Sequence, residues 1–502
     1  MIEAFAQGLL NVTRLDVALG ILTASAFAVI VGVIPAVSGP LVVILIVPFV
    51  WAFDPLLALP IMCCLIAVSC MGGSLTAILI GVPGDNPNAA TVLDGFPMTQ
   101  KGQGGRALGL AVTANMLGGI FAVVLAFVMI PIMIPIIMAF RSPELCLMIV
   151  LALMFIASLT KESKIKGLIS GLLGILLACI GFQPATGMAR LNFGNLYLYG
   201  GLHSVTIMLG MLAVPIMFQL NQTCKTIAPP DIKSAGELRE IFKGGLEVVR
   251  CHKWLWLRSV ISGYIVGIMP ALGATVGSWA AYGQAKKTSK HPELFGTGSP
   301  EGIVAPESAS NACHAGDLLT TLAFGIPGSG IMVILLAAFV MLGINPGPKM
   351  LVEHTALCFT MLISVAIANL IAGVICVFGS TLLIKVTRVS FAYIFAFVIP
   401  IIVLSVYVAR QYMIDVYVLA IISLLGVFMD KWGYSAPALI LGFVLGDQFE
   451  YYLMNSIAMF GPFFFLSPIC LAIIFVAIVM IGYEPVKKMI LARMKRRAGG
   501  TR

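Results

Sequence analysis

Two short apolar segments, each ended by Gly-x-Pro-Gly, carry residues whose types and spacing suit ligand binding. The first runs from 72 to 84 and the second from 316 to 328, and small polar residues adjoin both. Glycine and proline leave backbone groups without helical partners, so freed N–H groups can hold a carboxylate and freed carbonyls can hold Na⁺. We therefore predict a site for a small anion and a cation, with an ordinary extramembrane loop as the alternative.

The candidate binding residues are small, polar or backbone-exposing residues in and beside these segments. Asp317 and Glu307 are the predicted ion-coupling residues, because an ionisable side chain within or next to an apolar segment is usually functional. For both carboxylates, capping of a helix is the alternative. The predicted substrate-binding residues are Ser74, Thr76, Pro83, Gly84, Asn86, Asn88, Thr91, Asn311, Thr320, Pro327, Gly328 and Ser329.

Patterns typical of enzymes and metal sites are missing from the sequence. It contains no Walker motif, no Ser/His/Asp pattern and no His-Glu-x-x-His pattern. Cys313 and His314 are adjacent, but no further ligand stands near them, and the eleven cysteines show no metal spacing. We expect no enzymatic activity, no cofactor and no metal beyond a coupling cation, Na⁺ or H⁺. The net charge of +9 lies in loops and does not indicate a nucleic-acid partner.

The elements that must position these residues are membrane helices. The chain is 60% hydrophobic and only 10% charged, with a mean hydropathy of +1.06, whereas soluble domains carry about 25% charged residues. At about 20 apolar residues per crossing, the chain holds roughly 10 to 14 spans. We predict an all-α polytopic membrane protein without a cleavable signal peptide. Pro131 and Pro135 are expected to kink or break the span at 107–139.

The two Gly-x-Pro-Gly segments belong to a longer internal duplication. Ile30–Val37 resembles Ile265–Leu272, and both precede the broken segments. Paired broken segments in two halves are a sequence indication of a transporter's substrate site, and inverted repeats are the commoner arrangement. Within the segments, Gly72, Leu75, Thr76, Leu79, Gly81, Pro83 and Gly84 recur as Gly316, Leu319, Thr320, Ala323, Gly325, Pro327 and Gly328, with one of the seven altered.

The predicted organisation has four parts. A first transmembrane repeat covers 1–224, a linker with an amphipathic helix covers 225–256, a second repeat covers 257–485, and a basic tail covers 486–502. Basic loops remain in the cytoplasm, so we place the linker and the C-terminus there and expect a multi-pass protein of a bacterial inner membrane.

Further motifs resemble the TctA family, the large membrane subunit of tripartite tricarboxylate transporters, over almost the whole chain. They include Met71 to Thr76, Pro83-Gly84, Ala90-Thr91, Asp94 to Met98, Gly105 to Gly109, Ser289 to Gly296, Glu301-Gly302, Ala305-Pro306-Glu307, Asn311, Gly325 to Ser329 and Asn345 to Pro348.

The resemblance implies a secondary carrier that imports small di- or tricarboxylates by symport with Na⁺ or H⁺. Its partners would be a small four-span membrane subunit and a periplasmic solute-binding protein. An elevator-type motion of the two re-entrant hairpins is expected by analogy. A stand-alone carrier of organic anions that needs no binding protein is the alternative.

A few positions depart from the family pattern and leave the substrate undefined. Cys313 and His314 stand where the family has small aliphatic residues, and Asp317 stands where many members have a small residue. Glu450 is followed by Met454 instead of the family's arginine, so the ion pair of that motif is expected to be absent.

Overall fold

The computed structural model describes residues 1–34, 39–50, 52–158, 163–183, 186–215, 217–218, 238–269, 272–347, 350–386, 391–475 and 477. The predicted basic tail, the start of the linker at 225–237, and Pro270 of the second motif pair lie outside the described residues.

The first half of the described chain is almost entirely helical. Its two short strands, β1 (Gly181–Phe182) and β2 (Ala189–Arg190), pair antiparallel with Gly181 opposite Arg190. The helices are α1 (Ile2–Thr13), α2 (Leu15–Gly32), α3 (Gly39–Val50), α4 (Pro55–Leu79), α5 (Ala89–Gln100), α6 (Gly104–Met138), α7 (Ser142–Ser158), α8 (Lys164–Ala178), α9 (Leu196–Tyr199) and α10 (Ser204–Met208), which continues as a π-helical turn over Leu209–Ala213.

The second half repeats the helical character. The helices are α11 (Leu238–Arg250), α12 (Lys253–Ile268), α13 (Gly273–Thr288), α14 (Glu301–Phe324), α15 (Gly330–Met341), α16 (Met350–Glu353), α17 (Thr355–Val386), α18 (Phe391–Arg410), α19 (Met413–Lys431) and α20 (Ala436–Phe460). Short 3₁₀ turns lie at Asn86–Asn88, Pro292–Leu294 and Phe464–Leu466.

Five of the described helices are long and apolar enough to cross a membrane. They are α2, α4, α6, the part of α17 from Thr355 to Ser380, and α19. Of the kink or break expected at Pro131 and Pro135, the break does not occur: α6 continues through both prolines. Both prolines lie in its last third, and a membrane helix tolerates proline where neighbouring groups satisfy the freed backbone.

In each half, a glycine allows the helix that precedes the broken segment to lie very close to the helix that carries it. A Cβ atom at Gly32 of α2 would lie 2.3 Å from the carbonyl oxygen of Ser69 in α4. In the second half, a Cβ at Gly267 of α12 would lie 2.2 Å from the carbonyl oxygen of Cys313 in α14. Both approaches are too close for any side chain, so glycine is required at each crossing.

Helix α11 lies within the predicted linker and packs against α6. A Cβ at Gly244 would lie 2.2 Å from the carbonyl oxygen of Arg106. Arg106 also donates two hydrogen bonds, of 2.8 and 2.7 Å, to Glu247. The contact with His252, together with Arg106, lowers the pKa of Glu247 to about 2. Glu247 is therefore ionised at neutral pH and ties α11 to the start of α6.

The loop between α8 and α10 is held in place by charged residues. Arg190 of β2 donates to both carboxylate oxygens of Glu450 in α20, and Gln183 donates to the same carboxylate at 2.9 Å. Glu450 has no arginine partner at position 454 of its own helix, as expected, but it does form an ion pair with Arg190. The partner comes from a strand 260 residues earlier, a distance over which sequence spacing carries no signal.

Candidate binding site at two broken helices

The first broken helix ends at a tight turn and returns as α5. After α4 ends at Leu79, Gly81 adopts a φ of 77°, a left-handed conformation that glycine reaches without a steric penalty. The N–H of Gly84 then donates to the carbonyl of Gly73 at 3.3 Å. The tip of this hairpin therefore folds back onto the helix that precedes it.

The second broken helix makes a similar turn. Gly325 ends α14 with a φ of 67°, and α15 begins at Gly330. A Cβ at Gly328 would lie 2.7 Å from Oδ1 and 2.8 Å from Cα of Asp317. Gly328 and Gly84 hold equivalent positions in the two motifs, as do Asp317 and Gly73. Each tip therefore packs against the equivalent turn of its own helix.

A buried carboxylate of the second half joins the first hairpin. Glu307 of α14 accepts hydrogen bonds from Ser74 (2.7 Å) and Thr91 (2.6 Å), and Asn88 lies at 3.4 Å. Asn115 of α6 adds a bond of 2.9 Å. All five side chains are buried. The structure thus brings three predicted substrate-binding residues, Ser74, Asn88 and Thr91, together around the predicted coupling residue Glu307.

A second cluster, of three asparagines, lies one turn further along α14. Asn311 donates to the side chain of Asn115 at 2.7 Å and to that of Asn369 in α17. All three are buried, and Oδ1 of Asn311 has no partner among the described residues. Asn115 and Asn369 were not among the predicted site residues, although single amides inside long apolar helices are a signal of a polar interior.

Asp317 differs from Glu307 in having an incomplete set of partners. Its side chain is 0% exposed, Cys313 approaches Oδ1 at 3.8 Å, and Oδ2 has no hydrogen-bond partner among the described residues. The hydroxyl of Ser329 at the second tip is close enough to interact with this carboxyl but lies outside hydrogen-bond geometry. A buried carboxyl with a free oxygen can bind a proton or a cation.

The remaining predicted residues either form hydrogen bonds within their own half, stand at the hairpin tips, or lie away from the cluster at Glu307. Thr76 donates to the carbonyl of Gly73 at 3.0 Å, and Thr320 donates to that of Ile268 at 3.1 Å. Pro327 is buried and Pro83 half-buried at the tips. Asn86 is exposed beyond the first tip and is not part of the cluster at Glu307.

Two further carboxylates near the first hairpin were not among the predicted site residues. Asp85 at the first tip accepts from the N–H groups of Gly39 (3.0 Å) and Asn86 (2.7 Å). Asp94 of α5 is buried and accepts from three backbone N–H groups of the loop 296–299. Asp94 therefore fixes that loop against α5, whereas Asp85 stands at the point where the hairpin turns.

A cavity of about 610 Å³ opens beside the second hairpin. Its lining combines apolar walls with polar groups from α7, α20 and the turn after α15. The lining includes Phe140, Arg141, Asn345, Gly347, Asp447 and Tyr452. Its size is in the range of pockets that hold small organic molecules.

These features define a multi-pass helical membrane protein in which two broken helices meet around buried polar groups, an arrangement typical of secondary transporters. The chain belongs to the Tripartite tricarboxylate transporter TctA family, whose model matches residues 19–441. It is therefore a component of a tricarboxylate transporter that works with partner subunits, with a role in transport.

Two curated relatives support the assignment. The chain is 30% identical over 429 residues to an uncharacterized 52.8 kDa protein in the TAR-I ttuC' 3' region of Agrobacterium vitis, covering 85% of this chain and 84% of that protein. An uncharacterized protein in the TAR-II ttuC' 3' region of the same organism is 30% identical over 194 residues, covering 39% of this chain and 80% of that protein. No solved structure matches the chain.

Proposed function

We propose that this chain is the large permease subunit of a binding-protein-dependent secondary transporter that imports small di- or tricarboxylates by cation symport. The observation that carries the proposal is the meeting of the two broken helices. Both hairpin tips turn back onto buried helices, and the polar groups between them include atoms without partners. Freed backbone groups and unpaired polar atoms at such a place suit an anionic substrate and a cation.

The directions of the helices support an inverted repeat. Ser74 contacts Glu307 and Cys70 contacts His314, so residue numbers rise along α4 while they fall along α14. Cys70 and His314 also hold the same position in the two copies of the motif. Two equivalent helices that meet at equivalent residues and run in opposite directions are related by a twofold axis across them, as inverted repeats require.

A second pair of helices agrees with this arrangement. The helices α4 and α14 have 25 and 24 residues, and those that follow the tips have 12 each. The next long helices, α6 and α17, have 35 and 32 residues. Gly119 of α6 packs against Asn369 of α17, and Met116 packs against Gly373, so these helices also run in opposite directions. We extend the proposal to an elevator-type carrier whose moving part contains both hairpins.

The transport assay tests the proposal directly. Proteoliposomes would contain this chain with its small membrane subunit, and uptake of ¹⁴C-labelled citrate, malate and succinate would be measured under imposed Na⁺ or proton gradients. We expect accumulation only when the periplasmic binding protein is present. Equal accumulation without the binding protein would refute the tripartite arrangement and identify a stand-alone carrier.

We also propose residues 186–203, in the loop between α8 and α10, as the surface on which the binding protein docks. The loop follows α8, whose other end carries Lys164 and Lys166, and basic ends remain in the cytoplasm. It exposes large apolar side chains, with Phe193 81% and Leu196 87% exposed. Arg190 is paired with Glu450. This ion pair anchors the loop to α20, while the apolar side chains of the loop remain exposed.

Replacing Phe193 by serine is expected to lower binding-protein-dependent uptake about tenfold, because one buried aromatic anchor contributes roughly 1–3 kcal/mol at an interface. Ile165→Ser is the matched control, since Ile165 is 70% exposed at the opposite end of α8. Equal binding-protein dependence in Phe193→Ser and wild type would place the docking surface elsewhere.

A further inference from the structure

We propose that the coupled ion is a proton, that Asp317 carries it, and that His314, Cys70 and Asp85 form the route by which it is exchanged. This inference rests on the proposed symport and specifies its ion. Two buried ionisable side chains of α14, Asp317 and His314, retain atoms without a partner among the described residues. His314 is 6% exposed and contacts Cys70 of the first broken helix, whereas Asp317 is 0% exposed and packs against the second tip.

The neighbours of Asp317 favour a proton over a metal cation. Among the described residues, its carboxyl has a thiol at 3.8 Å, from Cys313, and one nearby hydroxyl, from Ser329. A hard cation such as Na⁺ requires a shell of carboxylate, carbonyl or water oxygens, for which a thiol is a poor substitute. A proton needs only the free oxygen, and its binding removes a buried charge that is costly when unpaired.

The route to Asp317 combines neighbours along α14 with groups in contact between α14 and the first hairpin. His314 lies one turn before Asp317 on α14, at the i, i+3 spacing that places side chains side by side, and its Nδ1 has no partner. Its Nε2 lies 3.4 Å from the thiol of Cys70, and that thiol lies 3.5 Å from Oδ2 of Asp85. Asp85 accepts from the N–H of the exposed Asn86 and is itself half-buried at the first tip.

Each transfer along this route is balanced. A proton leaving Asp317 is taken up at Nδ1 of His314, whose Nε2 proton passes to the sulfur of Cys70 while the thiol proton passes to Asp85. The reverse sequence loads Asp317. The route therefore connects the second hairpin tip with the first, and its exposed end lies at the first tip.

The other carboxyl group of α14 in this region is fully bonded. Glu307 accepts from four side chains. Tyr264 of α12 packs against Gly316 through its backbone carbonyl, and its buried hydroxyl has no partner among the described residues. Cys313 is the remaining titratable side chain recorded in contact with Asp317. Asp317 is thus the carboxyl in this region that is free to gain and lose a proton.

The test measures proton flux directly. Vesicles containing the complete transporter and its binding protein would enclose a pH-sensitive dye in sodium-free buffer, and citrate, malate or succinate would be added outside. We expect acidification of the lumen coupled to uptake, and about tenfold accumulation per proton for a one-unit pH gradient. Uptake that requires Na⁺ and leaves the luminal pH constant would overturn this inference while leaving the proposed symport intact. No uptake under any gradient would refute both.

Variants separate coupling from folding. Asp317→Asn should abolish proton-driven accumulation, because an amide side chain cannot take up and release the proton. Cys70→Ala should slow proton-driven uptake, and Cys70→Ser should restore it. Cys64→Ala is the matched control, since Cys64 is buried on the same helix and its thiol faces the carbonyl of Ser364. Full proton-driven accumulation in Asp317→Asn would contradict the assignment.

Discussion

Glu307→Gln is expected to reduce carboxylate uptake by more than tenfold and to lower the thermal stability of the protein. The carboxylate accepts from Ser74, Thr91 and Asn115 at 2.6–2.9 Å, with Asn88 at 3.4 Å. Glutamine replaces one of the two carboxylate oxygens by an NH₂ group, which cannot accept a hydrogen bond. The side chains that donate to that oxygen therefore lose their acceptor. Hydrogen bonds to charged groups contribute about 1.5–3 kcal/mol each.

The effect on transport follows from the origin of these partners. Ser74, Asn88 and Thr91 belong to the first hairpin, and Glu307 belongs to the second broken helix, so the substitution loosens the contact between the two. Breaking a buried charged group's set of partners typically costs about 3–5 kcal/mol. Uptake in proteoliposomes and the melting temperature of the purified complex would be measured together.

Glu293→Gln is the matched control, because Glu293 is exposed and its recorded partner is the exposed His291. That variant should retain wild-type uptake and melting temperature. Thr91→Val combined with Glu307→Gln should cost less than the sum of the single effects, since the two side chains share one interaction. Wild-type uptake and stability in Glu307→Gln would show that the cluster is not needed for transport.

Gly328→Ala is expected to have the second large effect, a loss of uptake of about tenfold or more. The added methyl group would lie 2.7 Å from Oδ1 and 2.8 Å from Cα of Asp317, so the tip of the second hairpin must move away from α14. Overpacking of this kind costs about 1–3 kcal/mol, and at a binding site a displacement of about 1 Å can cost a factor of 100.

The same hairpin supplies the control. A methyl group at Gly330, two residues further on, would meet no atom within 4 Å, so Gly330→Ala should transport at close to the wild-type rate. Gly84→Ala at the first tip should behave like Gly328→Ala, since its Cβ would lie 2.3 Å from Cα of Gly73. Equal uptake by Gly328→Ala and Gly330→Ala would contradict a role for the packed tip.

The broken helices show how far local sequence determines structure. Gly81 and Gly325 stand in the two repeated motifs, and both adopt left-handed conformations at the turns. Backbone conformation at such a turn depends on the residue itself, so the repeated motif was sufficient to predict where the two helices break. The continuous helix through Pro131 and Pro135 shows the limit: whether a proline interrupts a helix depends on neighbours that the local sequence does not identify.

The amino-acid sequence by itself determined the membrane class of this protein, its family and the positions of its two Gly-x-Pro-Gly turns, because composition and turn chemistry are local properties. Only the tertiary structure decided that Glu307 meets Ser74 and Thr91, more than 200 residues away, and that Glu450 meets Arg190. Side-chain partners of that kind depend on where helices cross, and the crossings are set by contacts such as Gly32 against Ser69. The same crossings distinguish Asp317, with its unpartnered oxygen, from the fully bonded Glu307.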